Sequence, residues 1–341
     1  MKLIKIKVST LIILFVFSFL TISLNDMFAV RMVKVATIGQ RPPVIDVSEG
    51  YQKMVNKMKL FWKRELSQVL PDKPDLIVLQ ENCDFPWGLT QEEKNAYVEV
   101  RKNQIQDFFA SISKENKCYI LYGTRRIDDK GITRNSGVLI DRKGKVAGIY
   151  DKNFPTIGEM QGGIVPSDEV PVFECDFGRL AVAICYDLNF DEHRERYFEL
   201  KPEIIAFPSA YHGGFVQSVW AYTCRSYFVG AITSIGRNSE ILNPLGEIIA
   251  ESTNYFDYAV SEINLDYKLV HLDYNRPGLK KIKEKYGPKV KISDPGGLGV
   301  VMVTSEHETI GVDQMIKEFE IELLDDYFGR SREFRKTQLK K

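Results

Sequence analysis

Gly178-Arg-Leu-Ala-Val-Ala-Ile-Cys185-Tyr-Asp187 is an apolar run that ends on a thiol. A short continuous apolar stretch bounded by a glycine reads as a buried strand. Two other strands end in the same fashion: Asp75-Leu-Ile-Val-Leu-Gln-Glu81 delivers a carboxylate, and Lys145-Val-Ala-Gly-Ile-Tyr-Asp-Lys152 delivers an ammonium. In sheets packed against helices, ligands gather beyond such strand ends. Three buried strands that each hand a reactive group to solvent predict a layered α/β protein with one site at the sheet edge.

Outward from this stretch the chain alternates strands and helices. Arg31 to Thr37 alternates as a first strand, and Val55, Met58, Trp62, Leu66 and Val69 follow helical spacing from Tyr51. Pro71 and Pro74 close that helix before the strand that ends at Glu81. A second helix is read through Val98, Ile105, Phe109 and Ile112, then a strand from Cys118 to Gly123. Asp141-Arg-Lys-Gly144 turns a hairpin of Ser136–Asp141 and Lys145–Tyr150. Beyond Cys185 come a charged helix from Asp191 to Leu200, a strand from Glu203 to Phe207, and a helix around Val216, Trp220 and Tyr227. A strand from Ala231 to Ile235 and the turn Asn243-Pro-Leu-Gly246 lead to a strand pair ending near Asn264. Alternation with hairpins mixed in predicts mixed sheets with helices outside, not a purely parallel sheet. Residues 30–265 are read as this domain. From Asp266 the character changes, with six lysines between Lys280 and Lys291, then Pro295-Gly-Gly297 and a helix from about Asp313 to Tyr327. Residues 266–341 read as an extension docked on the domain or on a partner subunit.

The 341 residues are 44% hydrophobic and 27% charged, an ordinary globular composition. Lys+Arg and Asp+Glu balance at 46 each, so nothing points to nucleic acid as a partner. Residues 1–29 stand apart: Lys2, Lys5 and Lys7, an apolar stretch from Leu11 to Leu24, then Ala29. This is the layout of a signal peptide, or of an uncleaved N-terminal anchor, and it predicts export with membrane contact through that segment alone. The five cysteines (Cys83, Cys118, Cys175, Cys185, Cys224) are too few and odd in number for a disulfide framework.

Any one of the three strand-end groups has an ordinary structural explanation, since free cysteine is among the most buried residue types. Together they form a cysteine hydrolase that needs no histidine. A thiol with a pKa near 8.5 is mostly protonated at neutral pH and needs a base or a cation beside it. Glu81 takes the proton and Lys152 supplies the positive charge. Attack on a carbonyl builds an oxyanion that Lys152 and the Tyr186 N–H are placed to hold. Trp87 in Asn82-Cys-Asp-Phe-Pro-Trp87 and Phe154 beyond Lys152 suit a pocket wall, as do Tyr211 and His212 in Pro208-Ser-Ala-Tyr-His-Gly-Gly214.

On the segments ending at Glu81, Lys152 and Asp187, and on Ile241-Leu-Asn-Pro-Leu-Gly-Glu-Ile-Ile249, the chain resembles the carbon–nitrogen hydrolase (nitrilase) superfamily from about Met32 to Asn264. The resemblance implies an αββα sandwich, a Glu81–Lys152–Cys185 triad and a supporting second glutamate. Glu159 is the candidate for that glutamate, with Glu169 and Glu174 as alternatives. It also implies a small amide-type substrate, no cofactor, and a homodimer or larger assembly. Tyr186-Asp187 stands where many nitrile-hydrolysing members carry Trp-Glu, which brings the chain closer to amidase-like branches. Arg225-Ser226 stands where many members carry Glu-Asn.

A histidine-based hydrolase would have to draw on His193, His212, His271 or His307. No His/Cys group has zinc-ligand spacing and no phosphate-binding glycine loop is present, so no metal is expected. Acyl transfer and nitrile hydrolysis would use the same triad. A binding protein that keeps the fold without chemistry is the alternative of a different class.

Overall fold

A computed structural model describes residues 30–233 and 236–340. The expected signal or anchor, residues 1–29, lies outside the described residues.

Twelve strands form two six-stranded mixed sheets. The first runs β12-β1-β2-β3-β4-β5, from β1 (Met32–Ile38), β2 (Leu76–Leu79), β3 (Tyr119–Ile127), β4 (Thr133–Ile140), β5 (Val146–Asp151) and β12 (Tyr258–Asn264). The second runs β11-β10-β9-β8-β7-β6, from β6 (Val172–Glu174), β7 (Arg179–Val182), β8 (Ile204–Ser209), β9 (Tyr227–Ile232), β10 (Glu240–Leu242) and β11 (Ile248–Glu251). The period-2 geometry of a strand explains why these sequences are apolar on both faces. In β2, Leu76 and Val78 point to the other sheet, where they meet Leu180, Val182, Ile204 and Ala206. Ile77 and Leu79 point outward, into a cluster with Met54, Met58, Trp62 and Phe109 of α1 (Tyr51–Leu66) and α3 (Gln104–Asn116). The outer face of the second sheet is covered by α5 (Asp191–Leu200) and α6 (Val216–Cys224), through Tyr197, Trp220 and Cys224 against Ile205, Phe207 and Phe228. The result is the four-layer αββα sandwich.

Several elements depart from the sequence reading. The second helix is two: α2 (Gln91–Arg101) ends where Lys102 takes φ +44°, and α3 starts afresh. No glycine or proline marks that break. The helix expected to reach Tyr227 stops at Cys224, and Tyr227 already belongs to β9. Glu159 sits in a one-turn helix, α4 (Ile157–Gln161).

Residues beyond Asn264 form a third, antiparallel sheet, β13 (Tyr267–His271), β15 (Val300–Ser305) and β14 (Val290–Ser293), with α7 (Arg276–Tyr286). The single helix expected over 313–327 is split into α8 (Val312–Glu318) and α9 (Leu324–Gln338). Between them Glu320 is left-handed and Ile321 turns into the apolar cluster of Ile282, Val303 and Met315. This part docks on the sandwich through Leu245 against Leu269, Met302 and Leu324, and through an Arg225–Asp325 ion pair of 3.1 Å. The lysines of α7 and its surroundings mostly face solvent.

Candidate active site

β2, β5 and β7 end on the same side of the sandwich, and the ends of β2 and β7 depart sharply from strand geometry. Asn82, just past Glu81, is left-handed at φ +51°, and Cys185 itself is left-handed at φ +50°. Strand β7 stops at Val182, short of the expected end, and Cys185 opens a tight 3₁₀ turn over Cys185–Asn189. A left-handed non-glycine residue costs free energy and persists only where its surroundings enforce it. Here the turn lifts the half-buried thiol off the sheet edge.

Lys152 is almost fully buried, and its Nζ donates to Glu81 Oε1 at 2.8 Å and to Glu159 Oε2 at 2.9 Å. Asn135 Nδ2 bridges the same two carboxylates, 2.7 Å from Glu81 Oε1 and 2.7 Å from Glu159 Oε1. The Ala210 amide donates to Glu81 Oε2 at 3.2 Å. Glu159 is fixed at its other end by a capping box: its Oε2 accepts from Thr156 N, and Thr156 Oγ1 accepts from Glu159 N. Every oxygen of both carboxylates therefore has a donor, which a buried charge cluster requires.

The Cys185 thiol faces Glu81, Lys152 and the Ala210 amide. Burial, and then the Glu81 charge, push the thiol up to about 12 against the opposing pull of Lys152 and the Ala210 N–H, so it keeps its proton at neutral pH. Burial works against the Lys152 ammonium, but Glu81, Cys185 and Glu159 together hold it protonated well above the usual lysine value. For Glu159 burial is likewise outweighed, by Lys152, the Thr156 amide and Asn135, and its carboxyl lies below the ordinary range. A protonated thiol beside a carboxylate and a permanent ammonium is an arrangement in which a proton can pass from sulfur to Glu81 without leaving a bare charge in the protein.

Beneath the site lies a second buried network. Asp187 Oδ2 accepts from Tyr150 Oη at 2.7 Å and from Ile184 N at 2.8 Å, while Oδ1 accepts from Phe154 N at 2.7 Å. Tyr150 Oη has one proton, which goes to Asp187, so it accepts from Asn153 N and from His193 Nε2, 3.1 Å away. That assigns the Nε2–H tautomer to His193, a buried histidine held neutral. His193 is thus engaged beneath the site and not beside the thiol.

Glu169 is exposed, with its backbone carbonyl bonded to Asn153, and Glu174 pairs with Arg179 on the surface. Only Glu159 of the three candidate supporting glutamates touches Lys152. Phe154 stacks on Phe190 with centroids 3.9 Å apart, beside Tyr186. Tyr211 lies near Cys185 and Lys152. Trp87 is partly exposed with Arg41 over its ring at 4.2 Å, and lines a cavity that also contains Ala210. His212 is bonded at both ring nitrogens, to Glu240 at 3.0 Å and to the Gly214 amide at 3.1 Å, so neither nitrogen is hydrogen-bonded to Glu81. Asn135, Ala210 and Tyr150 were not singled out from the sequence, and neither was a role for Asp187, although it stands two residues past the thiol.

A model of the carbon-nitrogen hydrolase family matches residues 34–269. A beta-ureidopropionase from Arabidopsis thaliana is 27% identical over 176 residues, 48% of this chain and 43% of that protein. An omega-amidase from Homo sapiens is 22% identical over 213 residues, 56% of this chain and 76% of that protein. The chain thus spans less than half the length of the plant relative. Among solved structures, a carbon-nitrogen hydrolase from Helicobacter pylori superposes with a TM-score of 0.58 at 18% identity, covering 69% of this chain and 90% of that one. An amidase from Nesterenkonia sp. gives 0.57 at 14% identity over 74% and 96%. At these identities the superpositions establish a shared fold. The family match spans β1 to β13, a range that includes Glu81, Lys152, Glu159, Cys185 and Ala210, and the chain belongs to the carbon-nitrogen hydrolase family.

Proposed function

We propose that this protein hydrolyses a small non-peptide amide or carbamoylated amine through a thioester on Cys185, with Glu81 as proton shuttle and Lys152 as the fixed cation. The observation that carries this reading is Lys152 Nζ held 2.8 Å from Glu81, with the Cys185 thiol facing both. Because the thiol rests protonated, Glu81 accepts its proton as sulfur bonds to the carbonyl carbon and the carbonyl π pair moves to oxygen. The oxyanion is met by the Lys152 ammonium and by the Tyr186 N–H, which precedes the first backbone bond of its turn, Asp187 N to Ile184 O. As the oxyanion collapses, the C–N bond breaks and Glu81 returns its proton to the departing nitrogen, releasing ammonia or an amine. Glu81 then takes a proton from water, the hydroxide adds to the thioester, and the C–S bond breaks with the proton returned to sulfur. Glu159 and Asn135 touch neither nucleophile nor leaving group in this scheme; they position Glu81 and Lys152.

Ammonia release from a panel of short amides, carbamoylated amines and nitriles tests the reading. Turnover should be lost in Cys185→Ala, and mass spectrometry of stalled wild-type enzyme should find the acyl group on Cys185. Undiminished turnover by Cys185→Ala would refute it. The protein is further proposed to work as a homodimer or larger assembly, for which light scattering of the full chain is the check.

A further inference from the structure

Glu81 stands past the last paired residues of β2, whose ladders to β1 and β3 end at Leu79 and Val78. From there the chain is held by Gly123 of β3 and by a buried ion pair. Gly123 N donates to Gln80 O and Gly123 O accepts from Cys83 N, so one residue brackets Glu81 from both sides. A Cβ on Gly123 would come within 2.6 Å of the Glu81 Cα, and glycine lets the two backbones approach this closely. Asn82 then turns left-handed, a conformation that persists only where the surroundings enforce it.

Asp84 supplies that enforcement. Its side chain is buried, and Oδ2 accepts from Arg101, the last residue of α2, and from Thr124 Oγ1 of β3 at 2.7 Å. Arg101 spans the same strand, donating to Thr124 Oγ1 at 2.9 Å and to Arg125 O at 2.8 Å. The carbonyls of the segment are held as well, Cys83 O by Trp62 Nε1 at 2.7 Å and Asp84 O by Tyr97 Oη at 3.0 Å. Arg125 faces both Asp84 and Glu159, so the pair also borders the supporting glutamate. Stability alone does not account for a buried ion pair, because apolar residues of similar volume often serve as well. Asp84 Oδ1 and Arg101 Nε even lack hydrogen-bond partners among the described residues. The pair supplies direction instead: charge-assisted bonds from a planar guanidinium fix the angle as well as the distance of what they hold.

We infer that the buried Asp84–Arg101 pair, with Thr124 bonded to both members, positions Glu81: it clamps the Asn82 turn onto β3 and so sets where the base stands relative to Cys185. Asp84, Arg101 and Thr124 are positioning residues that act through the backbone of residues 82–84. The inference rests on the amide-hydrolase reading for its effect on turnover, and on the geometry alone for its effect on the thiol.

Removing one charge would leave the other buried and bare, which endangers the fold. The test therefore combines Asp84→Asn with Arg101→Met, which removes both charges at similar side-chain size. The double variant should keep the wild-type circular dichroism and a cooperative melt. Its kcat should fall about 10- to 100-fold, the scale on which a misplacement of about 1 Å acts, with KM little changed. Alkylation of Cys185 by iodoacetamide, followed by peptide mass spectrometry, should slow alongside, since Glu81 takes the thiol proton there too. Thr124→Val keeps the shape and loses the hydroxyl; it should give a smaller loss in both readouts and serves if the double variant does not fold. A folded variant whose Cys185 is alkylated at the wild-type rate, or whose KM rises while kcat holds, would overturn the inference. Alkylation cleaves no amide, so it judges the placing of Glu81 even if wild type turns over none of the amide panel, a failure that would fall on the hydrolase reading alone.

Discussion

Asp187 accepts the phenolic proton of Tyr150 at 2.7 Å, and this one bond ties the turn that carries Cys185 to the strand that delivers Lys152. Tyr150 is two residues before Lys152, and Asp187 two residues after Cys185. Asp187 also binds the amides of Ile184 and Phe154, so its carboxylate closes a loop around both strand ends.

Tyr150→Phe removes the hydroxyl from a fully buried site and leaves Asp187 Oδ2 and His193 Nε2 short of a partner. The stability loss should be about 1–3 kcal/mol, the usual cost of orphaned buried polar groups. Turnover should fall more than KM rises, since what is disturbed is the distance between nucleophile and cation, not the pocket wall. Denaturant melts beside steady-state kinetics give both numbers, and wild-type kcat in a destabilised Tyr150→Phe would show that the bond supports folding alone.

Glu159→Gln keeps the size of the side chain but removes a charge from Lys152. The expected outcome is slower turnover, by roughly 10- to 100-fold for a disturbed positioning contact, with Cys185 still alkylated by a thiol reagent. Glu81→Gln should be far more damaging to both, because it deletes the proposed proton acceptor. Wild-type kinetics in Glu159→Gln would leave that residue without a part in the site.

Acid should weaken the fold through His193. Burial, with Arg196 adding to it, lowers its pKa from the ordinary 6.5 to about 3. The unfolded chain therefore takes up a proton as pH falls below about 6.5 while the folded one refuses it until about 3, so stability present above that window is lost across it. Asp187 acts with the opposite sign: burial raises it to about 6, which adds stability at low pH that disappears as pH rises through that value. His193→Gln isolates the first effect. Its urea midpoint should approach that of wild type as pH falls from about 7 to 5, and a constant gap would contradict the assignment.

Export is tested at the N-terminus. A signal over residues 1–29 predicts a mature chain that begins at Val30 outside the cytoplasm, or an uncleaved chain in the membrane fraction. No helix of the described residues is long and apolar enough to cross a membrane. N-terminal sequencing of fractionated cells decides, and full-length soluble protein in the cytoplasm would dismiss the signal.

Glu81, Lys152 and Cys185 were legible because each follows a strand whose apolar run announces itself, and the strand end is where such a residue meets a ligand. Asn135 was not. It reaches the site only through the register of β4 with its neighbours, and register depends on partners far along the chain. Helix breaks at Lys102 and Glu320 escaped for a related reason: a left-handed lysine or glutamate carries no local signature, and tertiary packing decides where the turn falls. Ala210 acts through its backbone amide, which any residue type would supply.

Cys185 at φ +50° has a consequence for how this protein tolerates change. Glycine adopts that conformation freely, whereas a residue with a Cβ gives up about 1 kcal/mol there. Cys185→Gly should accordingly melt higher than Cys185→Ala, though the proposed mechanism leaves both without turnover. Durability and the proposed chemistry pull this one position in opposite directions, and drift governed by folding alone would carry it toward a residue without a thiol.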